Sequence, residues 1–370
     1  MLFDLRSRLE GRFDELCRIL TQDHGRTMNE SKGSMRRVIE NVESAWSSFV
    51  PYAIGAGCTV VVCPSHHAPV AADAITRVAQ EVFPPGVINF VHGDTALKQM
   101  MLRHSEVKGI GFIGSTAVGR ELHRVCGELG KRSSLNGNGK NHVIIMPDAD
   151  LDQTARLLVS SCFGMGGQRC LGSDNIVVVG DRHDELKEKL VAAANLRLGY
   201  GLDESTILGP MCTNDGKEKV LDWIDRALNE GARIVKDGRN AKIAGYEGGY
   251  FLGPTILENC DPSMATAREE SFGPVAALMR AANIDEVLEW INGQDEHGHS
   301  ACVFTQSGNI ARNFAREAEV GNVGINVAIP QPFAFFPLGS KKQSFLGSAK
   351  SRMSSMRLFL DEKTVTTRWS

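Results

Sequence analysis

Apolar residues recur at helical spacing from the start of the chain. Leu2, Leu5, Leu9, Phe13, Leu16, Ile19 and Leu20 fall on one face, which predicts an amphipathic helix over the first twenty residues, followed by a second over 29–46. From Cys58 the pattern changes to short β-branched runs. Strands are predicted over 59–62, 87–91, 107–113 and 143–146, alternating with helices over 71–82, 95–102 and 116–129. That alternation implies right-handed βαβ units and a parallel sheet covered on both faces. After Asp150 the pattern repeats: helix 150–163, strand 175–179, helices 185–194 and 216–231, strand 233–235, helix 285–291, strand 300–304 and helix 310–318. The fold class expected is therefore α/β, with two doubly wound domains. Alternation in Thr364-Val365-Thr366-Thr367 predicts that the tail, 357–369, is an arm or an edge strand.

The segment Gly164-Met165-Gly166-Gly167-Gln168-Arg169-Cys170-Leu171-Gly172 lies where a predicted helix gives way to a strand. Four glycines in nine residues let the backbone approach a bound group closely and end that approach on a thiol. The Arg169 cation beside Cys170 is expected to favour the nucleophilic thiolate. A buried, inert cysteine in a Gly-rich turn is the alternative on these residues alone. Phe112-Ile113-Gly114-Ser115-Thr116-Ala117-Val118-Gly119 joins a strand to a helix, so free N–H groups and the Ser115 hydroxyl would meet a phosphate there, or Ser115 would simply cap the helix. The run Leu135-Asn136-Gly137-Asn138-Gly139-Lys140-Asn141-His142 reads as a polar linker between domains. Glu269-Glu270-Ser271-Phe272-Gly273-Pro274 sets two carboxylates before a turn.

Composition narrows the chemistry. The 370 residues suffice for two domains, and a formal charge of -3 with interspersed signs leaves no footprint for nucleic acid or an anionic membrane. Nine scattered cysteines without a CxxC pair suggest neither a disulfide framework nor a zinc site. His66-His67 and His297-Gly298-His299 lack the spacing of metal ligands, so no metal is expected. A small-molecule enzyme in a reducing compartment is the reading that remains.

In this order, GST-A-VG, NGNGKNH, PDADLD, GGQRC, LGP, EESFGPV and VGINVAIP followed by FFPLGS resemble the aldehyde dehydrogenase superfamily, and most closely its CoA-acylating, methylmalonate-semialdehyde branch. The resemblance implies an aldehyde dehydrogenase-like fold. A truncated NAD-binding domain would occupy 1–139, a thiol-bearing catalytic domain 140–340, and a return to the first domain with an oligomerisation arm 341–370. It implies Cys170 as nucleophile and Arg169 and Arg37 as partners of a substrate carboxylate. Gly114 and Ser115 would lie at the cofactor pyrophosphate, and Glu270 and Phe272 at the nicotinamide ribose and ring. Asn136 stands where hydrolytic members carry a basic glutamate, and an amide takes no proton at neutral pH, so CoA is expected to remove the acyl group. For methylmalonate semialdehyde that implies loss of carbon dioxide and release of propionyl-CoA.

The chain also departs from the family pattern. The resemblance implies that the family's N-terminal segment is missing and that Ser47-Ser48-Phe49 bridges directly a stretch where the family carries a strand, an oligomerisation hairpin and an FNFP-like motif. The motif's asparagine supports the oxyanion, so weakened turnover is expected. Cys63 and His66 replace the lysine and glutamate of a KPSE pattern that contacts the adenosine ribose, which predicts weaker NAD binding. A homo-oligomer is implied, with an incomplete oligomerisation element. With no transit peptide visible, a mitochondrial or a cytoplasmic location is expected. The alternatives are a catalytically inactive, truncated dehydrogenase-like protein and a thiol esterase without a redox step.

Overall fold

The computed structural model describes residues 1–44, 49–294, 296–332, 336, 338–347 and 356–369. Trp46, Ser47 and Ser48 at the direct bridge, and Phe335 and Pro337 of the C-terminal motif, lie outside the described residues.

The chain opens with α1 (Leu2–Gly11), α2 (Phe13–His24), α3 (Met28–Ser44) and α4 (Phe49–Gly55). The single helix expected over the first twenty residues is two, because Arg12 leaves helical geometry at φ -111°, ψ 18° just after Gly11, a weak helix former. Leu5, Leu9, Leu16, Cys17, Met35 and Ile39 nevertheless share one core, as their spacing requires. β1 (Val60–Val62), α5 (Pro69–Gln80) and β2 (Ile88–Phe90) make a parallel βαβ unit that lies against this helical layer. After α6 (Thr95–Arg103) come β3 (Gly109–Ile113), α7 (Thr116–Glu128) and β4 (Arg132–Asn136), a second parallel unit.

The rest builds one large sheet. The elements of this stretch, of which all but β10 belong to that sheet or lie beside it, are β5 (His142–Ile145), α8 (Leu151–Phe163), β6 (Asn175–Val179), α9 (His183–Ala193), α10 (Asn214–Asn229), β7 (Arg233–Lys236), β8 (Thr255–Glu258), α11 (Ala265–Arg268), β9 (Val275–Ala281), α12 (Ile284–Glu289), β10 (His297–Gly298), β11 (Ser300–Phe304), α13 (Gly308–Glu317) and β12 (Asn322–Ile325). Seven strands run in the order β12-β11-β5-β6-β9-β8-β7, parallel except at the β7–β8 edge. Successive side chains of a strand face opposite ways, and both faces are dry. Ile176 and Val178 of β6 enter one apolar cluster with Leu158 and Leu186, while Val177 and Val179 enter the other with Phe314 and Ile291.

Three further elements, β13 (Lys341–Lys342), β14 (Phe345–Gly347) and α14 (Met356–Phe359), complete the chain. β13 pairs with β10, and β14 pairs antiparallel with β4, giving a three-stranded sheet β14-β4-β3 separate from β1–β2.

The structure corrects several expectations. The polar run is not a linker at its start: Leu135 and Asn136 belong to β4, where Ser133, Ser134 and Leu135 are buried between β3 and β14. β8, β9 and β12 were not anticipated, although β9 sits near the middle of the large sheet. The tail is not an edge strand. Residues 360–369 pair with no strand among the described residues, and Val365 and Trp369 are 74% and 90% exposed, because alternation becomes a strand only where an edge accepts its hydrogen bonds. No helix among the described residues is long and apolar enough to cross a membrane.

Candidate active site

Helix α8 delivers the glycine-rich loop. Asp150 caps its first turn by accepting from Asp152 N and Gln153 N, and the helix ends at Gly164. Met165, Gly166 and Gly167 then adopt left-handed backbone at φ 56°, 65° and 70°. Glycine does this freely, whereas for Met165 it costs on the order of 1 kcal/mol. A bond from another element offsets that cost: Met165 N–H donates to a carboxylate oxygen of Glu30. Glu30 also accepts from Thr27 N, while Thr27 Oγ1 accepts from Glu30 N, a reciprocal cap at the start of α3. Gly167 packs so tightly on the following loop that a Cβ there would lie 1.9 Å from Gly273 O.

Cys170 emerges from this turn exposed to solvent. Its backbone is clamped by Asn141, whose Nδ2 donates to Cys170 O at 2.9 Å and Gly172 O at 2.8 Å. Asn141 Oδ1 in turn accepts from Ser300 N at 3.1 Å and Ser300 Oγ at 2.8 Å, so the whole amide of this buried residue is used. The clamp ties the thiol loop to β11 of the large sheet. Asp174 accepts Asn141 N–H at 3.0 Å, and its own pKa is raised by burial against the opposing charge of Lys140, which lies 4.9 Å over the Trp223 ring.

The loop 137–139 is where the parts meet. Gly137 backs onto Thr116 at the start of α7, with a Cβ there 2.3 Å from Thr116 Oγ1. A Cβ on Gly139 would lie 2.9 Å from Cys170 O. Gly139 N donates to Glu270 Oε1 at 3.3 Å, and Asn138 Nδ2 donates to Glu270 Oε2 at 2.5 Å. Burial, and then the charge of Asp174, push Glu270 up to about 7. Phe272 stands beside it with φ 48° and 42% of its surface exposed, in the turn between α11 and β9.

The electrostatics overturn one expectation. The Cys170 thiol is raised above its ordinary value, first by the protein atoms crowding its inner side and then by the negative charge of Glu270. The sulfur remains open to solvent, but Arg169 does not stabilise its thiolate. Neighbours in sequence point apart here, and the Arg169 guanidinium folds back over Gly164, whose added Cβ would lie 2.9 Å from its Nη2. There Arg169 is lowered by burial and supported by Glu30, and its Nε has no hydrogen-bond partner among the described residues.

A second arginine shares that environment. Arg26, which sequence reasoning missed, feels the charges of Glu30 and Arg169, is also lowered by burial, donates to Ser34 Oγ at 2.6 Å and likewise has an unpartnered Nε. Arg37 is engaged elsewhere, donating to Pro332 O at 3.0 Å and pairing with Glu40 at 3.3 Å.

Ser115 caps α7, its Oγ accepting from Val118 N at 3.4 Å, and stays exposed, while Gly114 lies over the Phe112 ring, where a Cβ would approach within 2.5 Å. Cys63 turns toward Met101, with sulfurs 3.5 Å apart, and the His66 and His67 rings lie 3.9 Å apart, tilted by 45°.

A dinucleotide suits this donor set. The start of α7, where Ser115 stays exposed, favours phosphate, a carboxylate can accept ribose hydroxyls, and an exposed aromatic face stands beside it. Asn138, Asn141 and Glu30 were not singled out from the sequence. Only Glu30 had a readable signal, the Thr27-x-x-Glu30 spacing of a helix cap.

Comparison with known proteins gives consistent results. Residues 44–365 match the model of the aldehyde dehydrogenase family. Malonate-semialdehyde dehydrogenase 2 of Geobacillus kaustophilus is 34% identical, with 100% of this chain and 85% of the relative covered. The malonate-semialdehyde dehydrogenase of Pseudomonas aeruginosa is 33% identical, covering 100% and 84%. The crystal structure of methylmalonate-semialdehyde dehydrogenase from Oceanimonas doudoroffii superposes with a TM-score of 0.96 at 32% identity, covering 100% of this chain and 85% of that one. A protein assigned as methylmalonate-semialdehyde dehydrogenase from Sinorhizobium meliloti 1021, solved in complex with NAD, gives 0.96 at 30% identity, covering 100% and 84%. The Geobacillus alignment spans 415 positions against the 370 residues here, which sets about 45 positions of the relative opposite gaps in this chain.

Proposed function

The chain belongs to the aldehyde dehydrogenase family, and from that premise we propose that it oxidises a small carboxylated semialdehyde, of the malonate or methylmalonate kind, to an acyl-CoA. The observation that carries this reading is an exposed thiol, clamped by Asn141, whose backbone packs against the loop 137–139 that also touches Glu270 and the start of α7. The semialdehyde dehydrogenases among its relatives support the substrate class.

Cys170 Sγ would attack the aldehyde carbon. Because burial and Glu270 hold the thiol up, its thiolate is the minor form in the free protein, and masking the Glu270 charge would raise it. NAD, when bound, supplies the hydride acceptor. Glu270 would hold its ribose, Phe272 would face its ring, and Gly114, Ser115 and the start of α7 would take its pyrophosphate. Loss of the adduct's hydride to that acceptor, with its hydroxyl proton passing to solvent, would leave an acyl-cysteine. Asn136 cannot take a proton from water, so the acyl group stays on sulfur until the thiol of CoA accepts it.

Arg169, with Arg26 beside it, supplies guanidinium donors for the substrate carboxylate, which suits their planar paired N–H groups, and Arg37 would join them only by releasing Pro332 O and Glu40. The unpartnered Nε atoms of Arg26 and Arg169 support that role. In this reading 1–139 hold the cofactor, 140–340 carry the thiol, and 341–370 return to the first unit, as the β14–β4 pairing supports.

The gap of about 45 aligned positions favours a second reading, a chain with weakened or lost activity, and NAD titration separates the two. The direct test supplies malonate or methylmalonate semialdehyde, NAD and CoA and follows NADH absorbance. We expect NADH from the native chain and none from Cys170→Ala. Equal rates in the two would remove Cys170 as nucleophile.

A further inference from the structure

Asn138 spans two of the groups assigned to the dinucleotide. Its Oδ1 accepts the N–H of Thr116, the first residue of α7, at 2.7 Å, and its Nδ2 donates to Glu270 Oε2 at 2.5 Å. The backbone of Asn138 is fixed independently. Its N–H donates to Thr116 Oγ1 at 2.9 Å, and its carbonyl accepts from Ser344 Oγ at 2.7 Å. The side chain is therefore held between Thr116 and Glu270 by a loop anchored on both sides, and its amide bridges the two.

The chemistry of that bridge matches what a dinucleotide would need. An oxygen at the start of α7 accepts a helix N–H, as a phosphate oxygen would, and an N–H group donates to the carboxylate, as a ribose hydroxyl would. One amide presents both, with an acceptor at one end and a donor at the other. With Gly139 N–H on the second oxygen, Glu270 has a protein donor on each carboxylate oxygen before any ligand arrives.

We infer that Asn138 is an internal competitor for the cofactor, filling the helix N–H and carboxylate positions in the free protein and setting cofactor affinity by how readily it swings out. This rests on the reading of α7 and Glu270 as dinucleotide anchors. Binding then exchanges two side-chain hydrogen bonds for two ligand bonds. The observed dissociation constant is the intrinsic one divided by the fraction of molecules with Asn138 withdrawn.

The test is to measure NAD affinity by titration calorimetry, and melting temperature with and without NAD, for the native chain and for Asn138→Ala and Asn138→Ser, each checked for folding by circular dichroism. Alanine lacks the amide and serine is too short to span both partners, so either folded variant suffices. The expected result is a dissociation constant lowered roughly tenfold, the scale of one or two net hydrogen bonds. It should be accompanied by a lower melting temperature in the free variant and a larger upward shift on adding NAD. A merely structural asparagine would lower the melting temperature without tightening binding. If the native chain binds NAD and the variants bind it equally or more weakly, the competitor role falls while the cofactor reading stands. If neither native chain nor variants bind NAD, both fall together.

Discussion

Asn141→Ala tests how the thiol is positioned. In the native protein this 2% exposed side chain makes four hydrogen bonds of 2.8 to 3.1 Å, two to the carbonyls of Cys170 and Gly172 and two from Ser300. At about 1 kcal/mol net for each, removal costs roughly 4 kcal/mol, and more if Ser300 N–H is left without a partner. The backbone bond from Asn141 N to Asp174 survives, so the fold should persist with a loosened loop. Urea unfolding followed by tryptophan fluorescence measures the loss, and NADH formation measures the consequence. A displacement of the sulfur by about 1 Å is expected to lower kcat on the order of 100-fold while leaving KM for NAD nearly unchanged. Asn141→Asp is the isosteric control. It sets an oxygen against two carbonyls and a negative charge near Asp174, so it should be at least as damaging as alanine. A loss below about 1 kcal/mol with normal turnover in Asn141→Ala would refute the clamp.

Gly167→Ala places a Cβ where 1.9 Å separates it from Gly273 O, on a backbone at φ 70°, so it should fail to accumulate as folded protein or lose several kcal/mol in the same urea assay, whereas Gly127→Ala, with open space around it, should not. Glu270 is at about 7 in the folded chain against an ordinary 4.5, so the folded state holds its proton more tightly. That contribution, roughly 3 kcal/mol, is fully present below about pH 4.5 and is lost as pH rises through 7. Glu270→Gln should flatten this part of the pH–stability curve and, by removing a negative charge from beside Cys170, speed its alkylation by iodoacetamide above neutral pH. An unchanged curve and rate would mean that the carboxylate is neither enclosed nor close to the thiol. Asn136→Glu supplies a proton acceptor where an amide now stands, and sustained NADH formation without CoA is the expected gain. No CoA-independent turnover would remove the assigned role of Asn136.

The parts legible in the chain were those decided by neighbours in sequence. Helical spacing at Leu5, Leu9 and Leu16, the β-branched runs of β1 and β6, and the Gly-x-Gly-Gly turn before Cys170 each follow from local backbone preference and burial pattern, which act over a few residues. The ordered motifs carried the family as well. β4 was missed because its Arg-Ser-Ser-Leu-Asn sequence has little strand preference, and only the edges offered by β3 and β14 make it one.

The protonation state of the thiol shows the same division. Sequence placed a cation next to Cys170, whereas tertiary packing turned Arg169 toward Glu30 and Arg26 and brought Glu270, a hundred residues away, to the sulfur instead. Adjacency along the chain fixes the distance between backbones but leaves side-chain direction to packing. What the chain alone determined was therefore the elements with a clear local pattern, and the family. What only the tertiary structure decided was which charges that thiol feels, which amide clamps it, and which side chain already occupies the places of its proposed cofactor, because hydrogen bonds and desolvation depend on distances that no local spacing encodes.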